Sequence, residues 1–164
     1  MKGSMIRRKE GYMKAYLGID VGSVSTDLVL IDEANNVLSK VYIRTSGQPI
    51  KAVQRGLKLL AEGVDLKNIE VAGVGTTGSA RYLSAVIVGA DVVKNEITAH
   101  AVAASNLVRD VKTIIEIGGQ DSKLIILRDG IVEDFAMNTV CAAGTGSFLD
   151  QQAARLNLPI EKFS

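Results

Sequence analysis

Tryptophan is absent from this chain, cysteine and histidine each occur once, and aromatic residues make up only 4% of its 164 positions. A single cysteine excludes an internal disulfide. With apolar residues at 47% but so few rings, the core must be built from Val, Ile, Leu and Ala packed between layers, which favours an α/β protein. An excess of charge of one sign is also missing. Nineteen Lys and Arg face eighteen Asp and Glu, for a formal net charge of +1, so no global field draws the chain to nucleic acid or to an anionic membrane. No run is long and apolar enough to cross a bilayer. The opening segment, Met1 to Lys14, carries the one basic cluster, Arg7, Arg8 and Lys9, but lacks the apolar run of a signal peptide. The expectation is a cytoplasmic protein with a flexible or tag-derived arm over 1–14, and with no membrane or nucleic-acid partner.

What is present is an order of elements that occurs twice. Strands are expected from Ala15 to Asp20, Thr26 to Asp32 and Val37 to Arg44, joined by a turn at Gly22-Ser23 and another at Asn35-Asn36. Pro49 stands at a first helical position, and Ile50, Val53, Leu57 and Leu60 follow at helical spacing until Gly63. A strand from Ile69 to Val74 runs into a turn, Gly75-Thr76-Thr77-Gly78, then a weaker helix and strand through Val88 and a good helix from Asn95 to Val108. Strands from Val111 to Ile117, Ser122 to Leu127 and Ile131 to Ala136 then lead to a helix over Ser147 to Leu156. Strand, strand, strand, helix thus appears twice, each time with an acid and glycines at its first turn. An internal duplication is the simplest account. It divides the chain into a first lobe, 15–110, and the start of a second, 111–164.

The chemistry sits at those turns. In Gly18-Ile19-Asp20-Val21-Gly22-Ser23-Val24-Ser25-Thr26, an acid ends a buried strand, and a tight turn offers N–H groups and hydroxyls to an anion. Gly22, Ser23, Ser25 and Thr26 suit phosphates, and Asp20 is placed to hold Mg²⁺ through water. An ordinary hairpin turn accounts for that segment alone equally well. The second turn, Glu116-Ile117-Gly118-Gly119-Gln120-Asp121-Ser122-Lys123, matches the first, and two such hairpins could clamp a triphosphate from both sides. Gly118, Gly119, Gln120 and Lys123 are its phosphate candidates and Glu116 its metal candidate. Glu96 opens the helix between the two turns, either to orient water or metal in the cleft or simply as a helix-capping acid. Cys141, alone among Val140, Ala142 and Ala143, has the surroundings of a buried small hydrophobe. Yet it directly precedes a helix start, whose dipole and free N–H groups would favour a thiolate, the form an iron–sulfur cluster needs. His100 is expected on the solvent or packing side of its helix. Ser79, Arg81 and Tyr82 are open between ligand contact and plain surface.

Together the two turns and the intervening helix resemble the first phosphate, connecting and second phosphate motifs of the superfamily that includes actin, sugar kinases and heat-shock chaperone ATPases. That resemblance implies a ribonuclease H-like (actin-like ATPase) fold, a mixed sheet with helices, with ATP and Mg²⁺ between the lobes. A narrower resemblance covers nearly the whole chain from Tyr16. Gly-Gly-Gln-Asp-Ser-Lys at 118 to 123, Asn-Glu-Ile-Thr-Ala-His at 95 to 100 and Cys-Ala-Ala-Gly-Thr-Gly at 141 to 146 look like the activators of 2-hydroxyglutaryl-CoA dehydratase and the related benzoyl-CoA reductase ATPase subunits.

The narrower resemblance implies a homodimer sharing one [4Fe-4S] cluster, with Cys141 at a ligand position and a CoA-ester dehydratase or reductase as electron acceptor. It implies that ATP hydrolysis drives the electron transfer, with Gln120 or Glu96 positioning the attacking water and Asp20 and Glu116 managing Mg²⁺. The chain departs from that pattern in three ways. It has no second cysteine, so two copies supply two thiolates of four; the adenosine-binding glycines are expected beyond Ser164; and Glu116 stands where many relatives have Asp. A small-molecule kinase of the same superfamily and a non-catalytic nucleotide-binding fragment remain as alternative readings.

Overall fold

The computed structural model describes residues 11–141 and 143–163. The expected arm over 1–14, with its basic cluster, lies outside the described residues up to position 10, and a strand already begins at Met13. That strand, β1 (Met13–Val21), pairs antiparallel with β2 (Ser25–Asp32), and β2 pairs antiparallel with β3 (Val37–Arg44). The expected meander is present. Its second turn is organised by the Asp32 carboxylate, which accepts from the Ala34 and Asn36 amides and from the Asn36 side chain, while Asn35 takes a positive φ of 64°. These bonds hold the Asp32 carboxyl below its ordinary range.

The first sheet is completed by β4 (Ile69–Thr77), parallel to β1, and by β5 (Val92–Val93), giving the order β3-β2-β1-β4-β5. Two differences from the sequence expectation appear here. β4 runs on through Gly75-Thr76-Thr77, because it stays in register with β1 as far as Asp20 opposite Thr77, so the turn begins only at Gly78. The short strand follows the helix α2 (Arg81–Val88) instead of preceding Val88.

Alternation along β1 decides what faces where. Ala15, Leu17, Ile19 and Val21 point to one face and, with Leu28 and Leu30 of β2, form a buried core with Val53 and Leu60 of α1 (Pro49–Glu62). Gly56 of α1 allows that approach, since a Cβ there would overlap the Leu28 side chain. Asp20 falls on the other face by the period of two.

The second sheet has the order β6-β7-β8, from β6 (Thr113–Ile117), β7 (Ser122–Arg128) and β8 (Ile131–Met137), all antiparallel. Its inner face is covered by α3 (Glu96–Leu107), whose Ile97 and Ala101 pack with Ile125 and Leu127. Here the two copies of the repeat part company. α1 covers the first sheet, but the helix after β8, α4 (Gly146–Arg155), is not part of the second core. On the outer face Ile115 and Ile117 are 74% and 61% exposed. The whole is the mixed-sheet, actin-like ATPase fold expected from the sequence.

Candidate phosphate-binding cleft

Each acid-glycine turn joins two paired strands, β1 to β2 in the first sheet and β6 to β7 in the second, and the two turns meet. Gly22 N–H donates to the Ser25 carbonyl at 2.9 Å and Gly118 N–H to the Asp121 carbonyl at 2.8 Å, so both turns close by the same bond. The Ser23 hydroxyl donates to Gln120 Oε1 at 2.9 Å, joining one turn to the other. Gly119 lies against Val24, and a Cβ there would come within 2.9 Å of it. An ion pair between Arg44 and Asp150, at 3.3 Å, also links β3 to α4.

Between the turns is a cavity of about 140 Å³. Its volume suits a phosphoryl group and a metal ion; pockets for whole drug-sized ligands run to about 300–1,000 Å³. Asp20, Gly22, Ser23 and Ser25 line it from the first sheet, Glu116, Gly118, Gly119, Gln120 and Lys123 from the second, and Glu96 from the start of α3. Nine of the ten phosphate, metal and water-positioning candidates that the two turns suggested, together with Glu96, therefore share one cavity.

Thr26 is the exception. It is fully buried and its hydroxyl pairs with that of Thr45 at 2.9 Å, while the Thr45 hydroxyl donates to the Gly22 carbonyl at 2.9 Å. Since Thr45 has one proton and spends it on Gly22, Thr26 is the donor to Thr45. Its hydroxyl supports the turn from behind and is directed away from the cavity, as the strand period requires one position past Ser25.

His100 corrects the sequence expectation. It lines the cavity, because it stands four residues after Glu96 and so shares the same face of α3. That spacing was a usable signal. Asp121 and Gly78 also line the cavity; Asp121 was in the second turn, but only the parallel pairing of β1 with β4 brings Gly78 there. Of the three open positions, Ser79 lines the cavity and donates to the Val21 carbonyl at 3.3 Å. Arg81 instead donates to the Gly78 carbonyl at 3.0 Å and lies over the exposed Tyr82 ring.

The charges are unevenly matched. Burial raises the Asp20 carboxyl above its ordinary 3.8, and the nearby Asp27 and Glu96 carboxylates add to this, against lowering by His100 and Lys123. Asp27 stands directly opposite Asp20 in the β1–β2 ladder and is itself raised, mainly by burial, although Ser25 donates to it. Glu116 is better served. Lys123 stands opposite it in the β6–β7 ladder and its Nζ donates to Glu116 Oε2 at 2.7 Å, with the two side chains only 7% and 20% exposed. An under-neutralised carboxylate lining a small polar cavity is a fitting partner for a divalent cation. Among the described residues, no group of three or more His, Cys, Asp and Glu side chains is close enough to hold a metal unaided, so other oxygens must complete any coordination.

Cys141 is exposed, not buried among aliphatic side chains. The helix beside it does not offer its N–H groups to the thiol. Gly146 and Ser147 donate to the carbonyls of Gly118 and Gly119 at 3.0 and 2.9 Å, and Phe148 and Leu149 donate back to Thr145. The Thr145 hydroxyl also reaches the Gly119 carbonyl, at 3.0 Å. The start of α4 is therefore occupied in holding the second glycine turn from behind. A larger cavity, about 930 Å³, lies at the opposite end of β6 and holds none of the candidate residues. No helix among the described residues is long and apolar enough to cross a membrane.

The comparisons with known proteins agree with this geometry. The BadF/BadG/BcrA/BcrD ATPase family model matches residues 17–163. The chain is 34% identical, over 88% of its length and 54% of the relative's, to the (R)-2-hydroxyglutaryl-CoA dehydratase activating ATPase of Acidaminococcus fermentans. It is 36% identical, over 90% of its length and 56% of the relative's, to the activator of lactoyl-CoA dehydratase of Anaerotignum propionicum. Among solved structures, it superposes on the activator of the 2-hydroxyisocaproyl-CoA dehydratase from Clostridium difficile with bound ADPNP, with a TM-score of 0.79 at 29% identity, covering 90% of this chain and 54% of that one. The chain spans about half the length of the curated relatives it matches.

Proposed function

The chain belongs to the BadF/BadG/BcrA/BcrD ATPase family, and from that premise we propose that it is the phosphate-binding part of an ATPase that activates a CoA-ester dehydratase or reductase. The observation that carries this reading is the meeting of two acid-glycine turns on one small cavity, with Asp20 and Glu116 on opposite walls. The names of its relatives supply the rest: activating ATPases and activators of CoA-ester dehydratases, one of them solved with a bound ATP analogue.

On this reading residues 15–110 and 111–164 contribute one turn each, and the N–H groups and hydroxyls of Gly22, Ser23, Ser25, Gly118 and Gly119 hold the phosphates. Asp20 takes Mg²⁺, which when bound neutralises phosphate charge; Glu116 shares that duty to the extent that Lys123 releases it to meet the phosphates. Gln120, hydrogen-bonded to Ser23, and Glu96 are the groups that orient the attacking water. Water attacks the γ-phosphorus as the bond to the bridging oxygen breaks, giving ADP and phosphate. The finer reading is that Cys141 is one ligand of a [4Fe-4S] cluster shared by two copies, which would supply the electron. Its exposure on a turn beside the second phosphate loop suits that role, and the remaining ligands must come from elsewhere.

Calorimetric titration with Mg²⁺ and ATP tests the first claim. Asp20→Asn should weaken Mg-dependent binding roughly 10- to 100-fold, the worth of a charged contact. The same substitution should raise the melting temperature by about 2–4 °C, because it removes a like-charge pair worth up to about 1 kcal/mol. The pH dependence follows the same sign. The Asp20 carboxyl is raised in the folded chain, so the folded state holds this proton more tightly than the unfolded one. Its cost to stability is complete above the raised value, fades as pH falls through it and is gone below about 3.8. Equal Mg-ATP affinity in wild type and Asp20→Asn would refute the metal role, and binding without phosphate release would reduce the chain to a nucleotide-binding module.

A further inference from the structure

Asn138 belongs to none of the motifs discussed so far, yet its side chain satisfies three backbone groups at once. Oδ1 accepts from the Ser122 N–H at 2.9 Å, and Nδ2 donates to the Gln120 carbonyl at 3.2 Å and to the Val140 carbonyl at 2.7 Å. Its own N–H donates to the Ser122 carbonyl at 3.1 Å. Two of the side-chain bonds grip the second glycine turn on either side of Asp121. The third grips the carbonyl that closes the turn around Cys141, since Val140 also accepts from the Ala143 N–H at 3.2 Å.

We infer that Asn138 is a positioning residue that couples the loop holding the terminal phosphate to the turn carrying Cys141. The inference rests on the nucleotide reading above and adds a physical route from one site to the other. The route is short. Gln120 faces the cavity with its side chain and gives its carbonyl to Asn138; the same amide group holds Val140, the neighbour of Cys141. An amide with both donor protons and an acceptor lone pair committed has no slack, so a displacement of Gln120 on meeting a phosphate must either move Val140 or break a hydrogen bond. The start of α4 braces the same loop through Gly118 and Gly119, but reaches Cys141 only through the longer chain 142–145. Asn138 is the more direct link. The other amide side chain at the site, Gln120, touches Ser23 on the opposite lobe, so the closing of the lobes and the setting of the Cys141 turn share one loop.

The sole cysteine makes the test clean. The whole chain, as wild type, Asn138→Ala and Asn138→Asp, is titrated with Mg-ATP by calorimetry, and the rate of Cys141 modification by a disulfide reagent such as DTNB is followed with and without saturating Mg-ATP. In wild type the nucleotide should change the modification rate roughly threefold or more, the scale of ordinary site-to-site coupling. Asn138→Asp keeps the acceptor for Ser122 but sets a carboxylate oxygen against the Gln120 and Val140 carbonyls, while Asn138→Ala removes all three bonds without adding a charge, so either variant that folds carries the test. In the variants Mg-ATP should still bind, with the modification rate no longer responding. A wild-type rate that ignores bound nucleotide overturns the coupling, as does a response of equal size in the variants. Loss of nucleotide binding in the variants overturns it too, since Asn138 would then serve the phosphate loop alone. A wild type that binds no nucleotide is a different failure, of the nucleotide reading itself, and takes the coupling with it.

Discussion

Replacing Lys123 with methionine should lower the melting temperature by roughly 10 °C, a larger effect than any other substitution in the cleft. The side chain is 7% exposed and its Nζ lies 2.7 Å from Glu116 Oε2. Removing one partner of a buried pair strands the other charge in a poor solvent and costs about 3–5 kcal/mol, and for a chain of this size each kcal/mol shifts the midpoint by about 2–4 °C. The pair itself contributes little net stability, so the double substitution Lys123→Met with Glu116→Leu should recover most of the loss. Thermal unfolding by circular dichroism distinguishes the two. Recovery of stability without recovery of Mg-ATP binding would mean that the pair is retained for the ligand. A single variant that melts within 2 °C of wild type would show that Glu116 is already well solvated, and the account of a closed, charge-matched second wall would fail.

Gly78→Ala should both destabilise the chain by at least about 2 kcal/mol and disable the Asp20 site. Gly78 has a φ of +87°, and a Cβ built there would overlap the Asp20 carboxylate and lie 2.6 Å from the Val21 carbonyl oxygen. The backbone strain alone is about 1–2 kcal/mol. What makes this position different is the company it keeps. Gly89, with a φ of +65° and open space around it, carries the same backbone penalty and no overlap, so Gly89→Ala serves as the control. Chemical denaturation gives the stability of each, and calorimetry gives Mg-ATP affinity. The expected result is a modest, purely structural loss for Gly89→Ala and a compound loss for Gly78→Ala. If both variants bind Mg-ATP like wild type, Asp20 is not held where the cleft requires it.

Gly78 also shows where reading the chain in order runs out. A turn was visible over Gly75 to Gly78, but its contact with Asp20 exists only because β4 is parallel to β1 and in register with it across 56 intervening residues, from Asp20 to Thr77. No local pattern encodes that pairing. Thr26 was misjudged for a simpler reason: hydroxyls at a turn look alike in sequence, and the period of two along β2 sends Ser25 to the cavity and Thr26 to the interior. His100 was legible at four residues from Glu96 and was passed over for want of a visible partner; the partner, Asp20, comes from β1. Cys141 is exposed and not part of a core, and the free helix N–H groups invoked for it are bonded to Gly118 and Gly119.

By itself the sequence determined most of the elements, the two acidic turns and the fold class, because each depends on residues that are near one another along the chain: alternation, helical spacing, glycine at tight turns. Only the tertiary structure decided which sides of those elements meet. It put α3 instead of α4 over the second sheet, placed Asp27 and Glu96 around Asp20 while giving Glu116 its own cation, and brought Asn138 between the second glycine turn and the turn at Cys141. Those outcomes turn on distances between residues far apart in the chain, and in a low-dielectric cleft such distances set the energies.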